Sequence, residues 1–206
     1  MKDIYIVFSS TPYKMGKFIR TFTRSEYNHV SIMFDENMKE AYSFGRKYID
    51  TPFWGGIIKD SVSRYEYKNV KAYIDKCKIT VDDETFEKVY NSINNMYLNK
   101  DLYIYNLFSA GISIFRKRVP IQDTYTCVEF CVHILGMIDK NMDTDRFYNV
   151  KELHEKLKEY SVYEGIFNIN GEEDIDFNDT KGKRVAFKGL LLTVSELIRR
   201  MKKTAQ

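Results

Sequence analysis

The stretch Tyr125-Thr126-Cys127-Val128-Glu129-Phe130-Cys131-Val132-His133-Ile134-Leu135 decides how the rest of the chain is read. A polar turn, Gln122-Asp123-Thr124, runs into it. Apolar residues then recur at Val128, Cys131, Val132 and Leu135, the spacing of one helical face. Cys127 therefore falls at or next to the first turn of a helix that is otherwise core. A thiol there meets unpaired backbone N–H groups and the positive end of the helix dipole, which both favour the nucleophilic thiolate. The competing reading is a small buried core residue, as most intracellular cysteines are.

The partner for such a thiol lies far upstream. The run Ser25 to Phe34 and the run Lys39 to Gly45 are β-rich and flank the polar turn Asp35-Glu36-Asn37-Met38, which reads as a hairpin. His29 stands at the entrance of its first strand and Glu40 on its second. Register decides which face Glu40 presents, and Tyr42 is the fallback if the register differs.

The remaining elements follow from periodicity. Ile4 to Phe8 is a buried strand stopping at Ser9-Ser10-Thr11-Pro12. Tyr13 to Arg24 is a helix with a basic face, Lys14, Lys17, Arg20 and Arg24, that reads as solvated surface or as a site for anions or lipid headgroups. Arg46 to Tyr67 is a long loop with a short strand, walling a cleft and carrying Phe53-Trp54. Val70 to Val81 is a strand holding a core Cys77, and residues 82–97 form an amphipathic helix with an acidic start. Tyr103 to Phe115 contains a short helix, followed by a basic loop from Arg116 to Pro120. After the cysteine helix come a short charged helix from Val150 to Lys158, with His154 facing solvent, and a strand from Val162 to Ile169. The acidic run Asn170 to Lys183 reads as flexible, Arg184 to Leu192 as a strand and Thr193 to Lys203 as a capped helix with a basic end.

Composition bounds the function. A chain of 206 residues suits one domain with an extension, divided here as 1–160 and 161–206, the second packed on the first. A net charge of +3, from 32 basic and 29 acidic residues, gives no reason to expect a nucleic-acid partner. Three cysteines cannot all pair, and the apolar run at the N-terminus is too short for a signal peptide or a membrane span. A reduced, cytoplasmic setting is the expectation, with peripheral membrane contact left to the short basic helix at the end.

At this point the chain resembles a known group. Asn28-His29-Val30-Ser31-Ile32, then Glu40-Ala41, then Tyr125-Thr126-Cys127-Val128-Glu129-Phe130 look like the YiiX-like branch of the permuted papain-like hydrolases. These are circularly permuted relatives of the NlpC-type cell-wall peptidases and cousins of the lecithin:retinol acyltransferases. The loop Ser9 to Pro12 with its following helix, and Tyr105-Asn106-Leu107, are also similar; the likeness spans residues 1–140. Ser31 departs from it, standing where the group often has glycine.

The resemblance implies an α+β permuted papain-like fold, a small antiparallel sheet packed against helices with the nucleophile at a helix N-terminus. It implies Cys127 as nucleophile, His29 as general base and acid, Glu40 as the ring-orienting group and Tyr125 near the oxyanion or substrate. Tyr42 and Trp54 complete the expected substrate contacts. The expected chemistry is a cysteine peptidase- or amidase-like hydrolysis, or an acyl transfer, through a thioester. Its substrate is a small molecule, peptide or lipid, and no metal or organic cofactor is needed. The missing leader argues against a cell-wall substrate. Two alternatives stand beside this. One is an inactive ligand-binding module with the same fold. The other is a metal site from Cys127, Cys131 and His133, which lacks paired ligand spacing.

Overall fold

The computed structural model describes residues 1–37, 39–169 and 175–204. Strand β1 (Lys2–Ser10) leads into helix α1 (Lys14–Thr23), and the hairpin β2 (His29–Met33) and β3 (Ala41–Arg46) follows. β4 (Gly55–Lys59) returns along β3, and the small ribbon of β5 (Glu66–Tyr67) and β6 (Val70–Lys71) leads to the long β7 (Tyr73–Val81) and helix α2 (Asp83–Leu98). β8 (Ile104–Tyr105), α3 (Leu107–Ile112), β9 (Thr124–Tyr125) and α4 (Cys127–Ile138) form the middle of the chain. α5 (Val150–Leu157), β10 (Ser161–Ile166), α6 (Ile175–Asn178) and α7 (Gly182–Thr204) complete it.

The protein is α+β with a mostly antiparallel sheet. Among the described residues eight strands run in the order β10-β7-β1-β2-β3-β4-β8-β9, and only β8 and β9 pair in parallel. The sheet is thus larger than the small one expected. β7 supplies an interior strand, paired with β1 over its whole length, and β10 extends the sheet beyond it. β4 opens on Gly55-Gly56 because the neighbouring chain comes close. A Cβ at Gly56 would overlap the Tyr103 carbonyl oxygen, and one at Gly55 would lie 2.5 Å from the Gly45 carbonyl oxygen.

Helix α4 packs across β2 and β3. Val128, Phe130, Cys131, Val132, Ile134 and Leu135 are buried there against Val30, Ile32 and Phe44. Each large apolar side chain so buried contributes about 1.5–3 kcal/mol. A second cluster, with Tyr65, Met33, Ile74 and Phe167, includes alternate residues of β1 and β2, the ones between those that face α4.

Three expectations are corrected. Arg184 to Leu192 is not a strand but the first half of α7, a continuous helix of 23 residues. The buried positions Gly189, Thr193 and Leu197 recur every fourth residue, which is a helical face that the local alternation of Val185 and Phe187 disguises. His154 does not face solvent: it is 7% exposed, its Nε2 lies 2.7 Å from Asp75 Oδ2, and its ring meets Phe8 and Tyr27 edge-on. Ser161 donates to the other oxygen of Asp75, so α5 and β10 are tied to β7 through one buried carboxylate. Of the acidic run 170–183, residues 170–174 lie outside the described residues, while the remainder holds α6, whose Phe177 is buried.

Because His154 joins a hydrogen bond to two aromatic contacts in the core, His154→Ala is expected to cost about 3–5 kcal/mol, read from urea unfolding. A loss below about 1 kcal/mol would return this residue to the surface.

Candidate functional site

Helix α4 begins with a complete capping box. Thr126 Oγ1 accepts from the Glu129 N–H (3.2 Å), and Glu129 Oε2 accepts from the Thr126 N–H (2.7 Å). The box fixes where the helix starts, so Cys127 is its first residue and, by helix geometry, the N–H groups of Cys127 and Val128 lie at the open end. Cys127 is 6% exposed and its side chain lines a cavity of about 540 Å³. Cys77 and Cys131 are fully buried, and burial pushes the Cys77 thiol up to about 12 and the Cys131 thiol well above its ordinary range.

His29 lines the same cavity and is held from two sides. On the chain side, Asn28 Oδ1 accepts from the Thr11 N–H (2.9 Å) and from Arg20 Nη1 (2.6 Å), while Asn28 Nδ2 donates to Thr11 Oγ1 (2.8 Å). These bonds clamp the loop after β1 to the residue before His29. Arg20, expected on a solvated basic face, is therefore part of the site's support. On the sheet side, the β2–β3 register puts Gly45 opposite His29, and a Cβ at Gly45 would come within 3.9 Å of His29 Cε1. Glycine leaves the imidazole its space.

The carboxylate beside His29 is Asp60, not Glu40. Asp60 Oδ2 lies 3.8 Å from His29 Nε2 and accepts from the Tyr65 hydroxyl (2.9 Å); Asp60 Oδ1 accepts from Ser43 Oγ (3.0 Å). Arg64 Nε is 3.8 Å from Oδ1. Ser31, the residue that departs from the resembled pattern, pairs with the Tyr65 hydroxyl at 2.7 Å and so joins the network. Glu40 fails on both distance and face. Continuing the β2–β3 register, it lies opposite Phe34, at the far end of the hairpin from His29, and on the other side of the sheet by the period of two. Its carboxylate accepts from the Tyr42 hydroxyl (2.6 Å) and pairs with Lys59 (3.0 Å).

The other expected contacts divide. Tyr42 packs in the core beside Phe34 and Tyr97, away from the cavity. Tyr125 meets Phe44 edge-on and lies tilted against His133, and it does not line the cavity. Trp54 packs against Gly189 of α7 and Tyr48, whereas its neighbour Phe53 is the cavity residue. Tyr105 takes the position expected of Tyr125. It lines the cavity, and burial first, then the charges of Cys127 and Glu129, hold its hydroxyl well above the ordinary phenol range. The signal for Tyr105 was present in the Tyr105-Asn106-Leu107 match, but no role attached to it. Asp60 had no sequence signal of its own, because β4 and its register are set by pairing.

Among the described residues no cluster of histidine, cysteine and carboxylates could hold a metal, and Cys131 and His133 do not converge with Cys127 on one. The electrostatics instead concern one proton. Burial acts to lower the His29 pKa, but the side chains of Asp60 and Cys127 outweigh it and raise the group from 6.5 to about 10. Burial would raise Asp60, and His29, Arg64 and Tyr65 bring it below the ordinary carboxylate value instead. Since the folded-state value of His29 is raised, its contribution to stability is complete below about pH 6.5 and is lost as pH climbs through about 10.

Asp60→Asn should lower the His29 pKa by about one unit or more in an NMR titration, and Glu40→Gln should leave it in place. An unmoved value in Asp60→Asn would remove Asp60 from the site. Among the described residues no helix is long and apolar enough to cross a membrane. Comparison with protein-family models, curated proteins and solved structures finds no match, so a functional reading rests on this geometry.

Proposed function

We propose that this protein is a cysteine hydrolase or acyltransferase of the permuted papain-like kind, acting on an amide or ester through Cys127, His29 and Asp60. One observation carries the reading: an imidazole between a buried carboxylate and the first residue of a capped helix, with the imidazole and the thiol lining one cavity. His29 turns Nε2 to Asp60, which leaves Nδ1 to take the Cys127 proton. With its pKa raised to about 10, the imidazole is a base strong enough to take the thiol proton as the sulfur attacks. Attack of the sulfur on the carbonyl carbon gives a tetrahedral oxyanion, for which the Cys127 N–H and the Tyr105 hydroxyl, both on the cavity wall, would serve as donors. Collapse expels the amine or alcohol, protonated by His29. Water or an acceptor, deprotonated by the same ring, then releases the acyl group.

The mostly apolar wall, with Phe53, Ile58 and Leu107, suits an acyl group with a sizeable hydrocarbon part. Arg46 stands on the wall with its guanidinium 4.2 Å from the Tyr13 ring centroid. Burial lowers its pKa to about 10, and among the described residues no carboxylate lies within 4.0 Å of it. It suits a polar or anionic end of the substrate.

The test is profiling of wild type and Cys127→Ala against a mixed panel of acyl amides and esters. Turnover should vanish in Cys127→Ala, and Tyr105→Phe should lower kcat by about a hundredfold while Tyr125→Phe changes it little. Iodoacetamide should label Cys127 below about pH 8, far faster than Cys77 or Cys131, and His29→Ala should slow that labelling. Equal rates at all three cysteines would instead favour a binding module with an inert thiol.

A further inference from the structure

Helix α7 carries a feature that the chemistry does not use. Phe187, Leu191, Val194, Ile198 and Met201 are spaced four, three, four and three residues apart, so they form one straight stripe along the helix. The stripe is not the face that packs on the domain. That face is Gly189, Thr193 and Leu197, with Gly189 seated on Trp54. Phe187 is 61% and Leu191 54% exposed, and Ile198 and Met201 are exposed as well. Apolar side chains in such a row mark an interaction surface.

Two further observations say what covers it. The solvent flank of the stripe is basic: at 100° per residue, Arg184, Lys188 and Lys202 lie along its outer edge, all exposed. In addition, Val194 of the stripe and Leu190 beside it line the cavity that holds Cys127 and His29. The stripe thus passes alongside the cavity of the site.

We propose that α7 is a membrane-docking helix, lying in the plane of an anionic lipid surface. Phe187, Leu191, Ile198 and Met201 would sit among the acyl chains, and Arg184, Lys188 and Lys202 on the headgroups. This places the cavity entrance at the interface, so an apolar substrate enters without crossing water. A second copy of the chain is the other occupant to weigh. Antiparallel pairing of two stripes would set the same basic flank against itself, and like charges disfavour that. An anionic bilayer meets the same flank with opposite charge. The inference does not depend on thiol chemistry, since docking uses no atom of Cys127.

Cosedimentation of the full chain with phosphatidylcholine vesicles, with and without phosphatidylserine, tests it. The protein should pellet with the phosphatidylserine-containing vesicles and largely stay in solution with phosphatidylcholine alone. The double variant Phe187→Ser, Leu191→Ser should bind at least about tenfold more weakly. Arg184→Glu with Lys188→Glu should lose on the order of tenfold or more. Leu192→Ser, exposed but off the stripe, and Cys127→Ser should bind like wild type, which separates loss of docking from loss of fold or chemistry. No pelleting with either vesicle would overturn the proposal, as would undiminished binding by the stripe variant. A dimer in sedimentation equilibrium that Phe187→Ser dissolves would also overturn it, assigning the stripe to a second copy.

Discussion

A carboxylate sealed from water must be compensated, and the arrangement around Asp60 follows from that requirement. Left alone in an apolar setting it would take up a proton. Here a tyrosine and a serine hydroxyl donate to its two oxygens, with an imidazole and a guanidinium at 3.8 Å. These partners come from β2, β3 and the turn after β4. Each therefore depends on the sheet being in register, and the imidazole takes its orientation from a group it could not find in an unfolded chain. Ser31 illustrates the coupling: it never reaches His29, yet it closes the network through Tyr65.

The other half of the site is set by a local rule. Thr126 and Glu129 satisfy each other's backbone across the first turn of α4, an arrangement worth about 1 kcal/mol. The energy is small beside the apolar packing of the helix on β2 and β3. Its value is positional, because it fixes the helix start at Cys127 and so brings the thiol to the cavity floor. The C-terminal segment supplies the remaining wall. Phe177 packs beside Tyr13 and under both Arg46 and Arg64, and Phe167 stacks on Tyr65 at 4.7 Å.

How much of this was legible in the sequence follows the distinction between local and non-local causes. The helix start at Cys127, the hairpin at His29 and the amphipathic α2 are written in short-range patterns of apolar spacing and turn residues. Their elements appear where those patterns place them. Asp60 and Tyr105 are there for another reason. Each arrives through strand pairing that no window of neighbouring residues encodes, whereas Glu40 is suggested by its place on the neighbouring strand of the hairpin and by the resemblance. Parity settles the matter physically: on a strand, one residue's displacement changes the face, and Glu40 lies on the wrong one. His154 and the first half of α7 show the converse error. A charged-looking helix hid a buried ring, and a short alternation of apolar residues concealed a longer helical period.

The cavity draws one wall from Thr11 and another from Val194, at opposite ends of the described chain. During synthesis the imidazole, the carboxylate and the thiol all emerge well before α6 and α7. A ribosome-bound intermediate would carry the reacting groups in a trough open along the side that Phe177, Leu190 and Val194 later occupy. The sulfur is thus enclosed on that side only once α7 has docked, and the emerging polypeptide holds an unsheltered nucleophile until then.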